Sequence, residues 1–435
     1  MQIFQKEQLN NNSLKLEMLD VLIILWTFSS AILKSVLYFF NLQAISGQLA
    51  IMYIIVAVIS ALLGFKYFSR MIPSGYLLVV LLFVVLGVSF VITGVRFGIT
   101  EVKFFSEFKA YFAMAICSLL ITVLVAWRKK KEINLNIIFI AIIILSLISF
   151  LSLFKGDSVT TGGYIRDSSG LIYQNVSYFS AQAFGLTLFH ITESRKIRSL
   201  SWFYKIVCAI LLVIQASTSI LSGGRGGIVL LVILLIVTVI INMGKKSYKI
   251  IVPAVFFLVV VRYTVPWLIN LFGINIKGIT RIMSFISGDL INDGRFELYS
   301  QSLSLFGENP VFGNGIGSIF HYLHSYSHNL FMDILAESGI FGLVLFIMVL
   351  VIFLKKLFVL FRQGSLFRFL TYIFICGMTL NLFSGYVWTN QLVWLPIAIV
   401  LTINLNDFEY DVNETYTSDF DNQEIDNSLD GENKG

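Results

Sequence analysis

Long uninterrupted runs of apolar residues constrain this chain more than any other feature. Of its 435 residues, 57% are hydrophobic and only 13% are charged, whereas a soluble domain usually carries about 25% charged residues. A helix of about 20 apolar residues is long enough to cross the hydrocarbon of a bilayer. The sequence therefore predicts an all-α, polytopic membrane protein with about twelve transmembrane helices, at 19–41, 46–64, 75–95, 108–127, 134–154, 176–193, 203–221, 227–243, 250–271, 338–354, 366–385 and 390–404.

Positive charge alternates between the links that join these runs. Clusters of Lys and Arg follow the even-numbered spans, and the positive-inside rule places such links in the cytoplasm, together with both termini. The predicted layout is a cytoplasmic tail at 1–18, nine spans within 19–271, a large extracytoplasmic loop with short helices at 272–337, three spans within 338–404, and a disordered acidic cytoplasmic tail at 405–435.

A short link on the predicted outer side reads SGGRGG and carries Arg225. Its glycines permit a tight turn and the close approach of a ligand. The Arg would stand at the N-terminal end of the following helix, and a guanidinium beside a helix N-terminus favours an anion. Arg225 is therefore either part of an anion site or an interfacial residue that caps two helices.

Two further arginines lie in the large predicted loop. Arg295 precedes a segment with helical spacing of apolar residues. It is either a second phosphate contact or a surface partner of Asp293 or Glu297. Arg281, in the same loop, is a secondary candidate for the same anion.

The end of this loop, SYSHNLFMDILAESGIFG, combines helix-capping residues with a histidine and two carboxylates. A helix that starts near His328 would place Asn329, Asp333 and Glu337 on one polar stripe at the membrane interface. The positive end of the helix dipole disfavours a protonated His328. A neutral imidazole there accepts a proton from a substrate hydroxyl, or else simply caps and packs the helix.

The other residue patterns argue against a metal site and against a nucleotide site. His321, His324 and His328 lie within eight residues and resemble zinc-ligand spacing, but the intervening Ser and the expected helix start at His328 argue against one metal site. His324 is kept as a secondary site candidate. The chain has no Walker loop or dinucleotide fingerprint, so we expect no nucleotide and no cofactor.

Three elements together resemble the bacterial O-antigen polymerase and O-antigen ligase superfamily. They are the Gly-rich link with its Arg, the motif NPVFGNGIGSIF after a second Arg, and SHNLFMDILAESGIFG at the end of the large loop. The resemblance implies a C-type glycosyltransferase architecture in the bacterial cytoplasmic (inner) membrane, with a site facing the periplasm or cell exterior. It further implies metal-independent, inverting transfer from a glycan linked to undecaprenyl diphosphate.

Carried onto this sequence, the resemblance implies that Arg225 and Arg295 hold the donor diphosphate and that His328 activates the acceptor hydroxyl. Asp333 and Glu337 are secondary, in orienting or sugar-binding roles. We expect membrane lipid, a chain-length regulator and a flippase as partners, and no nucleic acid.

Three functions remain open from the sequence, besides a polysaccharide-binding scaffold that carries out no chemistry. The first is a polymerase that joins lipid-linked repeat units into O-antigen, capsular or exopolysaccharide chains. The second is a ligase that transfers the glycan to a lipid A core. The third, from a different class, is a flippase for lipid-linked oligosaccharides, which the one-sided polar loop and the lack of an internal repeat argue against.

Overall fold

The computed structural model describes residues 20, 21, 23, 24, 27, 28, 74–98, 131–155, 173–197, 201–222, 224–241, 295–403 and 405. These residues are helical and include no β-strand, in agreement with the predicted all-α class. The α-helices are α1 Ser74–Phe97, α2 Leu135–Lys155, α3 Tyr173–Ile197, α4 Trp202–Leu221, α5 Arg225–Ile241, α6 Arg295–Glu308, α7 Ser318–Leu323, α8 Leu330–Leu360, α9 Ser365–Phe383 and α10 Gln391–Thr402. A 3-10 turn, Val387–Thr389, connects the last two.

Several of these helices have the length and composition of membrane spans. Within the described ranges, four helices are long and apolar enough to cross a bilayer, namely α1, α4, α8 and α9, and α2, α5 and α10 are shorter apolar helices. Each overlaps a predicted span, and α8 extends beyond its predicted span at both ends. The predicted spans at 46–64, 108–127 and 250–271, most of 19–41, the N-terminal tail at 1–18 and the acidic tail after residue 405 lie outside the described residues.

Helix α3, predicted as the span at 176–193, is a polar interior helix. It packs against α2, α4, α5 and α9. Its polar residues are buried between these helices: Ser177, Ser180, Gln182, Thr187, His190, Glu193 and Ser194. Neighbouring helices supply hydrogen-bond partners, as where Thr187 donates to Gln215 of α4 at 3.1 Å and Gln215 donates to Ser146 of α2 at 2.7 Å. Burial of Thr187, Gln215 and Ser146 is tolerated because they bond to one another.

The C-terminal helices form the densest part of the core. Every residue of α10 is buried, and this helix lies against α1, α8 and α9. Trp388 and Trp394 stack with ring centroids 6.1 Å apart, and Trp394 also meets Phe346 of α8 edge-to-face. Large buried aromatic rings contribute most of the apolar area in such a core. We therefore expect α8 and α9 to be held firmly near the candidate site.

Helix α8 differs from the prediction in where it begins and how it runs. Asn329 caps it by accepting from the backbone N–H of Phe331 at 3.0 Å and of Met332 at 3.4 Å. The helix therefore starts at Leu330, after His328 rather than at it. The predicted boundary between the loop and the tenth span, at 337/338, falls inside α8. It lies just before a kink at Gly339, which has φ 64° and ψ −165°.

An ion pair joins α3 and α9 at the end of the bundle away from the candidate site. Arg368, in the first turn of α9, donates to both carboxylate oxygens of Glu193, near the end of α3, at 2.8 Å and 2.7 Å. Bidentate geometry of this kind is among the strongest forms of the Arg–carboxylate interaction. The start of α3 and the end of α9 therefore meet at the opposite end, where the candidate site lies.

Candidate functional site

The start of α5 is packed tightly against the start of α3. The hydroxyl of Ser177 donates to the carbonyl of Ser219 at 2.8 Å and is 3.0 Å from the carbonyl of Gly224. A Cβ on Gly224 or Gly227 would overlap Ser177, and a Cβ on Gly226 would overlap the Tyr178 hydroxyl. Gly224, Gly226 and Gly227 of SGGRGG are therefore required by the close approach of α3, and Gly223 lies outside the described residues. The prediction that they admit a ligand is not tested by this contact.

Both predicted phosphate-binding arginines occupy the first residue of a helix. Arg225 begins α5 and Arg295 begins α6, and each is half-buried. A helix N-terminus carries a partial positive charge from its unpaired N–H groups. Each guanidinium therefore adds a full positive charge to a place that already favours an anion.

Tyr178 and Tyr326 connect the predicted residues in space. Tyr178 lies against Gly226, directly after Arg225. The positive charge of Arg295 acts electrostatically on both phenol groups. The ring of His328 packs on the ring of Tyr326, with centroids 4.3 Å apart. The helix start that carries Arg225 therefore lies against Tyr178, and His328 lies against Tyr326.

His328 is presented by a short, tightly bonded turn. Its backbone has φ 61°, in the left-handed region, which a residue other than glycine adopts at a cost. On one side, the hydroxyl of Ser327 is 3.1 Å from the N–H of Asn329, which donates to it. On the other, Asn329 caps α8. The turn fixes the direction in which the imidazole leaves the chain.

Asp333 holds this turn in place. Its Oδ1 accepts from the backbone N–H of Ser327 at 2.8 Å and from the Ser327 hydroxyl at 2.6 Å. Asp333 is fully buried, so an acceptor lost here would leave two buried donors unsatisfied. The predicted polar stripe of α8 exists, but it faces the protein interior and not the membrane interface, because these carboxyl groups satisfy backbone and side-chain donors.

Glu337, one turn further along α8, organises the residues behind the site. Its carboxyl accepts from the N–H of Gly317 at 2.8 Å, the Tyr386 hydroxyl at 2.6 Å and the Trp388 indole N–H at 2.8 Å. Glu337 is fully buried. Since these donors fill its oxygens, its role is structural, and it binds α8 to the segments before α7 and after α9.

Tyr326 and Tyr386 lie outside the membrane-spanning helices, and both phenol groups remain protonated at neutral pH. Burial is the main cause that raises the pKa of Tyr326, and the nearby Asp333 and Tyr178 act in the same direction while Arg295 opposes them. Burial also raises the pKa of Tyr386 well above its ordinary value, with Glu337 as the next cause. Both phenols therefore act as hydrogen-bond donors, and Tyr326 donates to the carbonyl of Ser384.

The backbone of the motif NPVFGNGIG supplies hydrogen-bond partners for the groups of α8 that the kink releases. Without the kink, the N–H groups of Ile340 and Phe341 would bond within the helix; instead they donate to the carbonyls of Pro310 at 2.9 Å and Val311 at 3.0 Å. The carbonyl groups released on α8 accept from the loop: Ala336 from Asn314 N–H at 3.0 Å, and Glu337 from Gly315 N–H at 2.8 Å. The loop and the kink therefore complete each other's hydrogen bonds.

The glycines of this motif are explained by the same contact. Gly313 and Gly315 have φ values of 72° and 92°, which L side chains rarely adopt. A Cβ on Gly313 would overlap the backbone of Glu337, and one on Gly339 would overlap the carbonyl of Val311. The motif therefore positions the loop that precedes His328 and does not itself present reactive side chains.

The three neighbouring histidines are not brought together. His321 stacks on Phe97 of α1 at 4.3 Å between centroids, whereas His328 packs on Tyr326. His324 is exposed and has φ 54°. Across the described ranges, no three His, Cys, Asp or Glu residues form a group with metal-binding geometry. Arg281 lies outside the described residues.

Sequence reasoning missed Tyr178, Tyr326 and Tyr386. Tyr326 stands two residues before His328 in the quoted motif, so its position gave a signal. Tyr178 and Tyr386 lie far from the motifs in sequence, and only the packing of α3 and of the turn after α9 brings them to the site.

Comparison with known proteins gives a family match for part of the chain. Residues 210–347 match the family model described as O-antigen ligase. The match covers Arg225, Arg281, Arg295, His328, Asp333 and Glu337. No curated protein matches the chain, and no solved structure matches it. The match of residues 210–347 supports the predicted resemblance to the O-antigen polymerase and O-antigen ligase superfamily.

Proposed function

We propose that the protein is a polysaccharide polymerase that joins repeat units carried on undecaprenyl diphosphate. The observation that carries the proposal is the packing of His328 on Tyr326 and of the start of α5, which carries Arg225, against Tyr178, while the charge of Arg295 acts on both phenols. We propose that these two cations and one proton acceptor serve one site, as glycosyl transfer from a diphosphate requires.

The arginines stabilise the leaving group. As the bond between the anomeric carbon and the diphosphate oxygen breaks, negative charge grows on the diphosphate. Arg225 and Arg295, at the N-termini of α5 and α6, meet that charge with fixed guanidinium groups and helix dipoles. Such preorganised positive charge supplies the stabilisation that a divalent cation gives in other transferases, so the proposed reaction is metal-independent.

His328 serves the acceptor. The acceptor hydroxyl oxygen attacks the anomeric carbon from the face opposite the diphosphate, and its proton passes to the imidazole of His328. The attack through an oxocarbenium-like state inverts the anomeric centre. Asp333 acts through the Ser327 turn that holds His328 and does not accept from the His328 ring in the described contacts.

The acceptor distinguishes a polymerase from a ligase. A polymerase extends another lipid-linked glycan, whereas a ligase uses a lipid A core, and the matched family model carries the description of a ligase. Both reactions use the same donor chemistry. We propose that the site lies at the outer face of the cytoplasmic membrane. The positive-inside rule predicts that the links rich in Lys and Arg are cytoplasmic, and the links that carry the proposed site residues lie on the opposite side of the membrane.

A polysaccharide ladder gel tests the proposal. The strain is a chromosomal deletion complemented with wild type, Arg225→Ala, Arg295→Ala or His328→Ala, with membrane levels of each protein measured. We expect the deletion to leave a single repeat unit and only wild type to restore the ladder. Full-length polymer that is not attached to its terminal acceptor would identify a ligase. Normal ladders from all three variants would overturn the catalytic assignment.

A further inference from the structure

The Tyr178 hydroxyl has the features of an unassigned ligand-binding group. The residue is 2% exposed, and within the described part of the chain no hydrogen bond of good geometry reaches its phenol oxygen. Ser384 lies beside it, but the Ser384 hydroxyl donates to the carbonyl of Phe383 at 2.7 Å. A buried polar group of this kind calls for a specific explanation, because burial without a partner is costly.

The surroundings of this hydroxyl favour an anion. It lies against Gly226, in the first turn of α5, directly beside Arg225. The guanidinium of Arg295 interacts with it electrostatically from the start of α6. A phenol O–H that lies in the first turn of a helix, next to a residue with a guanidinium group, donates to an oxygen that the helix N-terminus and the positive charge also attract.

We infer that Tyr178 is a third donor-binding residue, whose hydroxyl donates to a diphosphate oxygen of the lipid-linked glycan held by Arg225 and Arg295. The inference rests on the proposed function and deepens it. The diphosphate then contacts three helices, α3, α5 and α6. Helix α3 lies outside residues 210–347, so the binding site extends beyond the segment that the family model matches.

The inference also gives Gly226 a functional reason. A side chain at this position would occupy the place of the Tyr178 hydroxyl. Gly226→Ala is therefore expected to reproduce the defect of Tyr178→Phe while leaving the phenol in the sequence. Gly307→Ala is the matched control, since a Cβ on Gly307 meets nothing within 4 Å.

The direct test measures binding of undecaprenyl diphosphate, without a glycan, to the purified full-length protein in detergent. We expect Tyr178→Phe to weaken binding about 10- to 100-fold, as for loss of a hydrogen bond to a charged group. Undecaprenyl monophosphate, which lacks the second phosphate, is compared in parallel. Tyr372→Phe is the control for loss of a buried phenol, because Tyr372 bonds to Thr238 at 2.8 Å, about 18 Å along α9 from Ser384.

The outcomes separate this inference from the proposed function. Loss of binding in Tyr178→Phe and Gly226→Ala, with wild-type binding in Tyr372→Phe and Gly307→Ala, supports it. Wild-type binding in both Tyr178→Phe and Gly226→Ala, alongside weakened binding in Arg225→Ala, overturns it and leaves the proposed function standing. If Arg225→Ala and Arg295→Ala also bind normally and restore ladders, the proposed function fails and the inference fails with it.

Discussion

Replacing Gly339 by Ala is expected to disrupt the structure that supports His328. Gly339 has φ 64° and ψ −165°, a region that is essentially restricted to glycine and costs other residues about 1–3 kcal/mol. The added Cβ would also overlap the carbonyl of Val311. Either the alanine adopts the strained conformation or the kink rearranges.

Rearrangement would break the four backbone hydrogen bonds between α8 and the NPVFGNGIG loop. Each is worth about 0.5–1.5 kcal/mol net, so their loss, in place of the strain, costs about 2–6 kcal/mol. This is a large share of the stability of a typical protein domain. We therefore expect a melting temperature several degrees lower and a much weaker polysaccharide ladder.

The assay is thermal unfolding of the purified protein in detergent, with the ladder gel as the functional measurement. Gly307→Ala is the control, because Gly307 lies within α6 with open space around its Cα. Alanine is a better helix former than glycine by up to about 1 kcal/mol, so this variant should keep or slightly raise the melting temperature. A wild-type melting temperature and ladder for Gly339→Ala would refute the account of the kink.

Three further predictions concern the buried carboxyl groups and the tyrosines. Asp333→Ala leaves the two Ser327 donors without their acceptor and should destabilise the protein by about 1–3 kcal/mol; Asp333→Asn keeps an acceptor oxygen, and equal melting temperatures for the two variants would contradict this reasoning. Glu337→Gln places an amide N–H₂ where the carboxyl accepts from N–H and O–H donors, so it should lower the melting temperature by an amount that corresponds to about 1–3 kcal/mol, and an unchanged melt would show that these bonds contribute little. The pKa values of Tyr326 and Tyr386 are raised in the folded state, so the unfolded chain loses these protons first as the pH rises. The stability that these phenols contribute is complete below a pH of about 10 and should fall as the pH rises beyond it. A melting temperature that is constant between neutral and strongly alkaline pH would argue against the burial of these phenols.

The helices were predictable where local sequence decides them. The apolar runs that became α1, α2, α4, α5, α9 and α10 lie within a few residues of the predicted spans. A long apolar run can satisfy its backbone in a membrane only as a helix.

The direction in which polar groups face was not predictable in the same way. The spacing of Asn329, Asp333 and Glu337 predicted a stripe, but the same spacing fits a stripe toward water or toward the interior. The structure places Asp333 and Glu337 inside because Ser327, Gly317, Tyr386 and Trp388 provide donors there. Three of these partners come from other elements of the chain.

By itself, the sequence determined an all-helical membrane protein, the motifs of a superfamily and the chemical identity of Arg225, Arg295 and His328. Only the tertiary structure decided that Tyr178 of α3 lies against Gly226 of α5, next to Arg225, and that Tyr326 reaches Ser384 after α9. Helix formation depends on residues a turn apart, which spacing reports. A binding site depends on contacts between residues far apart in the chain, which form only when the helices pack.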